Sequence, residues 1–155
     1  MTIKVAVVGA TGRMGKLALD IINGSQHLSL HAALDSKSEL SQVVGADVVF
    51  EVTRLEVSEQ VVDYCIANGL KVVVGTSGWS AAKLAALEHK LASNPSAAVV
   101  VIPNFSIGSM LASSFAAQAA KFFDSIEIVE AHHAGKIDSP SGTAVRTAEM
   151  IAEAR

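Results

Sequence analysis

Residues 3–15 read IKVAVVGATGRMG, an apolar run that leads directly into three glycines spaced G-x-x-G-x-x-G. We expect a strand, a turn and then a helix. The turn between the first strand and the first helix is where doubly wound domains bind dinucleotide phosphates. The first glycine would permit the turn, the second would let phosphates approach the backbone, and the third would let the helix pack on the strand. The glycines alone fit a cofactor loop and an ordinary strand–helix turn equally well. The candidate cofactor-binding residues here are Gly9, Ala10, Thr11, Gly12, Arg13, Met14 and Gly15.

Four further apolar runs, at residues 28–34, 47–52, 71–74 and 97–102, alternate with segments of helical spacing. Short apolar runs of this kind are typical of strands buried on both faces. The connection around residues 36–44 is too short for a full helix. Strands alternating with helices predict an α/β fold with a doubly wound, Rossmann-like parallel sheet over residues 1–103.

The pattern changes after residue 103. Residues 106–123 predict a long helix rich in small residues, 126–132 predict a strand, and a last helix is expected from about Gly142. Two helices and one strand do not close a core by themselves. We therefore expect residues 104–155 to be the start of a second, α+β domain that is incomplete.

The composition indicates a folded chain, since 50% of its 155 residues are hydrophobic and only 17% are charged. A net charge of −3 gives no global field for nucleic acid, so no such partner is expected. The first residues lack the pattern of a secretory signal, and no apolar stretch reaches the roughly 18 residues that span a bilayer, so neither export nor a membrane partner is expected. The single cysteine, Cys65, indicates a reducing cytoplasm, and no residue spacing suggests a metal.

Asp35 strengthens the dinucleotide interpretation of the glycine loop. It closes the second predicted strand about 20 residues after Gly15, where a carboxylate accepts hydrogen bonds from the adenine ribose. An ordinary strand-end turn is the alternative. Arg13 and Lys37 lie close in sequence to the glycine loop and to Asp35, and they would accommodate a 2′-phosphate, so both NADH and NADPH are candidate cofactors. An equally good interpretation is that Arg13 and Lys37 are ordinary solvated surface cations. Thr53 and Gly75 end the third and fourth strands, at the edge where this fold binds ligands.

A second polar cluster occupies residues 130–144. His132 and His133 offer imidazoles that donate protons near neutral pH, and Lys136 offers a positive charge. Ser141, Gly142 and Thr143 stand at a predicted helix start, where backbone N–H groups and hydroxyls suit an anion such as a carboxylate. An ordinary capped helix with surface histidines is the alternative for any single member of the cluster.

Four motifs together resemble the dihydrodipicolinate reductase family: 9–15 (GATGRMG), 75–79 (GTSGW), 103–108 (PNFSIG) and 132–144 (HHAGKIDSPSGTA). They occur in the family's order, and the resemblance covers essentially all 155 residues. It implies hydride transfer from NADH or NADPH to a cyclic unsaturated dicarboxylate, reducing 4-hydroxy-tetrahydrodipicolinate to tetrahydrodipicolinate in lysine and diaminopimelate synthesis. It also implies a homo-oligomer, a tetramer formed through the second domain, which would bind substrate and mediate oligomerisation.

The resemblance assigns roles residue by residue. His132 is implied as the general acid, and Lys136 as the group that holds a substrate carboxylate or stabilises developing charge. His133, Ser141, Gly142 and Thr143 are implied as substrate ligands. Further cofactor contacts are implied at Thr53, Gly75, Thr76, Ser77, Pro103, Asn104 and Phe105, of which the last three would also form the hinge between the domains.

The sequence departs from the family pattern in two places and leaves alternatives open. Residues 51–55 read EVTRL where the family usually has Asp-Phe-Thr and a nearby proline, and Ser77 stands where a second threonine is common. Family members also continue well beyond residue 155. The alternative to a reductase is therefore a truncated module of the same family that binds dinucleotide without catalysis. A different Rossmann enzyme, such as an aspartate or homoserine dehydrogenase, is a third hypothesis that the second cluster disfavours.

Overall fold

The five predicted strands form one parallel sheet. In the computed structural model, which describes residues 2–102, 104–136 and 139–155, they are β1 (Ile3–Val8), β2 (Leu28–Leu34), β3 (Val48–Glu51), β4 (Lys71–Val74) and β5 (Ala98–Val101). Their order is β2-β1-β3-β4-β5, and every neighbouring pair is parallel. The predicted doubly wound α/β fold is confirmed, and the reversal of strand order places β1 and β3 side by side at the centre.

Three helices connect the strands: α1 (Arg13–Gly24), α2 (Leu55–Ala67) and α3 (Ala81–Ala92). Between β2 and β3 the chain makes only a short 3₁₀ helix, Leu40–Val43, so the expectation of a connection too short for a full helix is confirmed. Ser80 caps α3, its hydroxyl oxygen accepting a hydrogen bond from the Lys83 backbone N–H at 3.4 Å. This cap satisfies one of the N–H groups that a helix start leaves unpaired.

The core lies on both faces of the sheet, as the continuous apolar runs require. On β1, Val5 and Val7 face one cluster with Ile22 of α1, whereas Ala6 and Val8 face the larger cluster on the opposite side. That larger cluster gathers α2, α3 and the central strands through buried residues that include Leu34, Val49, Val61, Val62, Cys65, Val72, Val74 and Leu87.

The spacing of Met14, Leu17, Ala18, Ile21 and Ile22 is typical of a helix with one buried face, but α1 does not bury all five of them. Leu17 and Ile21 are 51% and 57% exposed. The helix contacts the core through Ala18, Leu19 and Ile22, in line with the buried Gly15 at its start. The close approach of Gly15 to the glycine loop fixes how the helix is rotated, and this rotation turns the larger side chains outward.

The chain divides into two compact units, Met1–Ile102 and Pro103–Arg155. The second unit contains α4 (Ile107–Ala120) and α5 (Gly142–Ala154), packed together with Ser113 Oγ 2.7 Å from Thr147 Oγ1. The helix expected at residues 106–123 is therefore shorter, with Ser106 as its N-cap. In the part of the chain that the structure describes, no helix is long and apolar enough to cross a membrane.

The prediction of a strand at residues 126–132 is wrong. This segment has no regular secondary structure, and Val129 is 85% exposed. A strand is stabilised by backbone hydrogen bonds to a neighbouring strand. All five strands of the described residues belong to the sheet of the first unit. The β-branched residues of 126–132 therefore form no ladder, despite their strand propensity.

Replacing Gly9 with alanine should destabilise the first unit by about 3 kcal/mol. Gly9 has φ +91°, and a Cβ there would overlap the carbonyl oxygen of Val52. Gly24→Ala is the control, because a Cβ at Gly24 meets nothing within 4 Å. It should be neutral or stabilising by up to about 1 kcal/mol. Urea unfolding followed by circular dichroism measures both, and equal stabilities of the two variants would contradict the steric argument.

Candidate functional site

The glycine loop connects β1 to α1 at the carboxyl edge of the sheet. The backbone N–H groups of Gly9 and Ala10 both donate to the carbonyl of Leu34 at the end of β2, at 3.0 and 2.9 Å. Gly12 N–H donates to the Gly9 carbonyl at 3.0 Å, which closes the turn before α1 begins at Arg13. These bonds tie the loop to the ends of the two strands that flank it.

The start of α1 is suited to an anion. Gly12 is its N-cap, and no side chain of the described residues caps this helix. Lys16 N–H is the first that bonds back to Gly12. The N–H groups of Arg13, Met14 and Gly15 therefore have no backbone acceptor within the helix. Such unpaired donors, together with the helix dipole, favour a negative charge at the helix start.

The three glycines differ in what they make room for. A Cβ at Gly15 would overlap the Gly9 carbonyl oxygen, so this glycine serves the packing of α1. A Cβ at Gly12 would meet only the Gly9 oxygen, at 3.3 Å, and Gly12 is exposed. The missing side chain at Gly12 therefore leaves open surface beside the free N–H groups. A dinucleotide pyrophosphate fits this cradle, which a side chain would fill.

Asp35 directly follows β2, as the sequence predicts for a ribose-binding carboxylate. Its Oδ1 accepts hydrogen bonds from Lys37 N–H and from the Ser38 hydroxyl, both at 2.9 Å. The bond from the Lys37 backbone, followed by that from Ser38, lowers the pKa of Asp35 below its ordinary value. Both bonds use one oxygen, so Oδ2 remains to accept from a ribose hydroxyl. The strand-end turn that we weighed against ribose binding is thus present, and it orients the carboxylate.

The loops after β3 and β4 meet at the same edge. Thr53 N–H donates to Thr76 Oγ1 at 2.8 Å, and Gly75 N–H donates to the Glu51 carbonyl at 2.8 Å. Thr76 is buried, whereas Ser77 is exposed. The structure therefore brings Thr53 and Thr76 together and leaves Ser77 as the accessible hydroxyl of the second loop.

In the second unit, Glu130 joins two of the residues predicted to act on substrate. It accepts a hydrogen bond from Ser141 N–H at 2.8 Å and another from the Ser141 hydroxyl, and His132 Nε2 lies 2.8 Å from its Oε2. The Ser141 hydroxyl, followed by His132, lowers the pKa of Glu130 to about 2. Glu130 thus orients the His132 ring and ties it to the start of α5.

Ser141 is less available to a ligand than its sequence position suggests. It is buried, its oxygen accepts from Ala144 N–H at 3.2 Å as the N-cap, and its proton goes to Glu130. Gly142 and Thr143 are exposed, and a Cβ at Gly142 would meet nothing within 4 Å. The accessible donors at this helix start are therefore those of Gly142 and Thr143.

His133 and Lys136 belong to one turn, in which Lys136 N–H donates to the His133 carbonyl at 3.1 Å. His133 is exposed and Lys136 is half-buried. Ile137 and Asp138, which complete the motif, lie outside the described residues, as does Pro103. Asn104 donates to Ser109 Oγ at 2.8 Å and to Thr143 Oγ1 at 3.4 Å. Phe105 is 46% exposed.

Glu130 is the first residue of the polar cluster at 130–144, but the sequence motifs assign it no role. Its signal is its position two residues before His132, because alternate residues of an extended chain lie on the same side. The structure shows this pairing without a β-strand. A carboxylate two positions before a candidate acid is therefore worth including in such a motif.

This chain has a parallel sheet, a glycine loop after its first strand and an acidic residue after its second. These features define the class of doubly wound nucleotide-binding domains. A family model described as dihydrodipicolinate reductase, N-terminus, matches residues 3–105, and one described as dihydrodipicolinate reductase, C-terminus, matches residues 108–155. The chain belongs to the dihydrodipicolinate reductase family.

Individual relatives agree with this assignment. The chain is 58% identical over 155 residues to 4-hydroxy-tetrahydrodipicolinate reductase of Clavibacter sepedonicus, and it spans 56% of that relative's length. It is similar to dipicolinate-bound dihydrodipicolinate reductase from Paenisporosarcina sp. TG-14, with a TM-score of 0.75 and 32% identity, covering 100% of this chain and 67% of the other.

A more distant structure shares the fold alone. Scyllo-inositol dehydrogenase from Lactobacillus casei with bound cofactor NAD(H) and scyllo-inositol has a TM-score of 0.56 and 19% identity, covering 77% of this chain and 42% of that one. The fold is thus found in proteins that differ strongly in sequence.

The Glu130 contacts should weaken in acid. The pKa of Glu130 is about 2 in the folded chain and 4.5 ordinarily, so the unfolded chain binds the proton more tightly. The contribution of ionised Glu130 to the stability of the folded chain is then fully present above about pH 4.5 and is lost as the pH falls towards 2. The Ser141 amide resonance of the folded chain, followed by NMR, should titrate with a midpoint near pH 2, the folded-state pKa of Glu130. Glu130→Gln should abolish that titration and Glu127→Gln should preserve it; an unchanged Ser141 titration in Glu130→Gln would contradict the assignment.

Proposed function

We propose that this chain binds NADH or NADPH through the loop after β1, and that its second unit binds a cyclic unsaturated dicarboxylate, 4-hydroxy-tetrahydrodipicolinate, which is reduced to tetrahydrodipicolinate. The observation that carries the proposal is the uncapped start of α1 beside the open surface at Gly12. Membership of the dihydrodipicolinate reductase family supports the choice of substrate. Assembly into a homo-oligomer in the cytoplasm belongs to the same proposal.

The cofactor contacts follow from the chemistry of the first unit. The N–H groups of Arg13, Met14 and Gly15 would bind the pyrophosphate, and Asp35 would accept from the adenine ribose. The exposed Arg13 and Lys37 side chains would neutralise a 2′-phosphate, which is why both cofactors are proposed. When bound, the nicotinamide supplies a hydride from its C4.

The substrate contacts follow from the second unit. One carboxylate would bind the N–H groups of Gly142 and Thr143 at the start of α5, where the helix dipole favours an anion. Lys136 and His133 would hold negative charge of the substrate. His132, oriented by Glu130, would deliver the proton that accompanies the hydride. Ser141 would act through its cap and its bond to Glu130 more than by direct contact.

The first experiment is titration of the 155-residue chain with NADH and NADPH, alongside a turnover assay with substrate generated in situ. Binding with turnover would support the whole proposal. Binding without turnover would support the alternative of a module that binds dinucleotide but is not catalytically competent. Absence of binding to either cofactor would contradict the assignment of the glycine loop.

Gly12→Ala should weaken NADH binding by about tenfold or more, because its methyl group enters the space assigned to the pyrophosphate. The backbone at Gly12 has φ −73° and ψ 171°, which alanine adopts without strain. The midpoint of thermal unfolding should therefore fall much less than in Gly9→Ala. Calorimetric titration at a temperature where both proteins are folded measures the affinity. Wild-type affinity in Gly12→Ala would argue against the phosphate site.

His132→Ala and Lys136→Ala should each lower kcat by about 100-fold or more in any preparation in which the wild-type chain turns over. NADH affinity should be unchanged, because the proposed phosphate and ribose contacts lie in the unit Met1–Ile102. His89→Ala and Lys121→Ala are matched controls at exposed positions outside the cluster and should retain full turnover. Unaltered kcat in His132→Ala would remove it as the acid.

A further inference from the structure

Glu51 is a fully buried carboxylate at the end of β3, with no exposed surface. Its Oε1 accepts hydrogen bonds from Thr53 N–H at 2.7 Å, from the Thr76 hydroxyl at 3.0 Å and from the Thr53 hydroxyl. Its Oε2 accepts from the Ser58 hydroxyl at 2.6 Å. A buried carboxylate is costly unless donors satisfy it, and four donors do so here.

The donors around Glu51 come from three separate elements. Thr53 lies in the loop after β3, Thr76 in the loop after β4, and Ser58 in α2. Ser58 is itself fully buried and accepts from Trp79 Nε1 at 3.3 Å. One side chain therefore fixes the loops after β3 and β4 and anchors them to α2.

The same carboxylate controls one wall of the glycine loop. Val52, between Glu51 and Thr53, donates its N–H to the Val8 carbonyl at 3.0 Å. Its own carbonyl oxygen lies too close to Gly9 for a Cβ to fit there. Any shift of the backbone at 51–53 therefore changes the space around Gly9.

We propose that Glu51 is a positioning residue for dinucleotide binding, which holds the loops after β3 and β4 in place beside the glycine loop. The inference rests on the proposed function. Because Glu51 is fully buried, it does not touch a ligand, and its influence on affinity passes through Thr53, Thr76 and Val52. Glu51 preorganises the site, because it holds the carboxyl edge of the sheet in one arrangement in the free protein.

The test is Glu51→Gln, which keeps the size of the side chain but replaces one acceptor oxygen with a donor. Calorimetric titration should show the NADH dissociation constant raised about tenfold at a temperature where the variant is fully folded. The Thr53 amide resonance should also move in the free protein, because its hydrogen bond is altered. Affinity within twofold of wild type would overturn the inference.

Two controls separate positioning from a general loss of stability. Glu59→Gln makes the same substitution on α2 at a residue that is paired with Lys83 and 38% exposed, and it should leave NADH affinity unchanged. Val62→Ala removes core volume and should lower the unfolding temperature without changing affinity in the folded protein. If Val62→Ala weakens binding as much as Glu51→Gln, the effect is one of stability and the inference fails.

Ser58→Ala provides an independent variant if Glu51→Gln does not fold. Ser58 is outside the proposed cofactor contacts, so an effect on affinity must pass through the residues that it bonds to, Glu51 and Trp79. Its loss should raise the NADH dissociation constant about threefold, and an unchanged value would overturn the inference. Failure of wild type to bind NADH is a distinct result, because it refutes the proposed function before any variant is compared.

Discussion

The close approach of three backbone segments at the end of β1 is the constraint on which the first unit depends. Gly9 faces the carbonyl of Val52, and Gly15 faces the carbonyl of Gly9, at separations that exclude a Cβ. These contacts set the distance between β1 and β3 at the edge and the rotation of α1 on the sheet. The exposure of Leu17 and Ile21, the open surface at Gly12 and the direction of the free N–H groups all follow from that rotation.

A buried or bonded carboxylate organises the proposed site in each unit. Glu51 collects hydroxyl and N–H donors from two loops and a helix, and Glu130 collects them from Ser141 and His132. In both cases donors converge on the acid from separate segments, so the acid defines their relative positions. The residues proposed to meet ligand are thus held by two acidic residues to which the sequence patterns assign no role.

The sequence predicts the sheet well because each strand is a short apolar run and each connection has a local signal. The caps at Ser80, Ser106 and Ser141 lie where serine precedes a helical pattern. The strand expected at residues 126–132 fails because a ladder needs a partner, which strand propensity alone does not supply. Similarly, the role of Glu51 depends on Thr76, 25 residues away in sequence, and no local pattern reports that contact.

The contrast among the helix starts has a thermodynamic consequence. Serine hydroxyls cap α3, α4 and α5, so each of these helices satisfies one of its first-turn N–H groups within the chain, whereas α1 and α2 have no side-chain cap. The start of α1 lacks a side-chain cap, and a bound phosphate would complete it. Under the proposed function, part of the stability of α1 is therefore conditional on the ligand. By linkage, the first turn of α1 should exchange its amide hydrogens faster in the free protein and slow down as the dinucleotide saturates it.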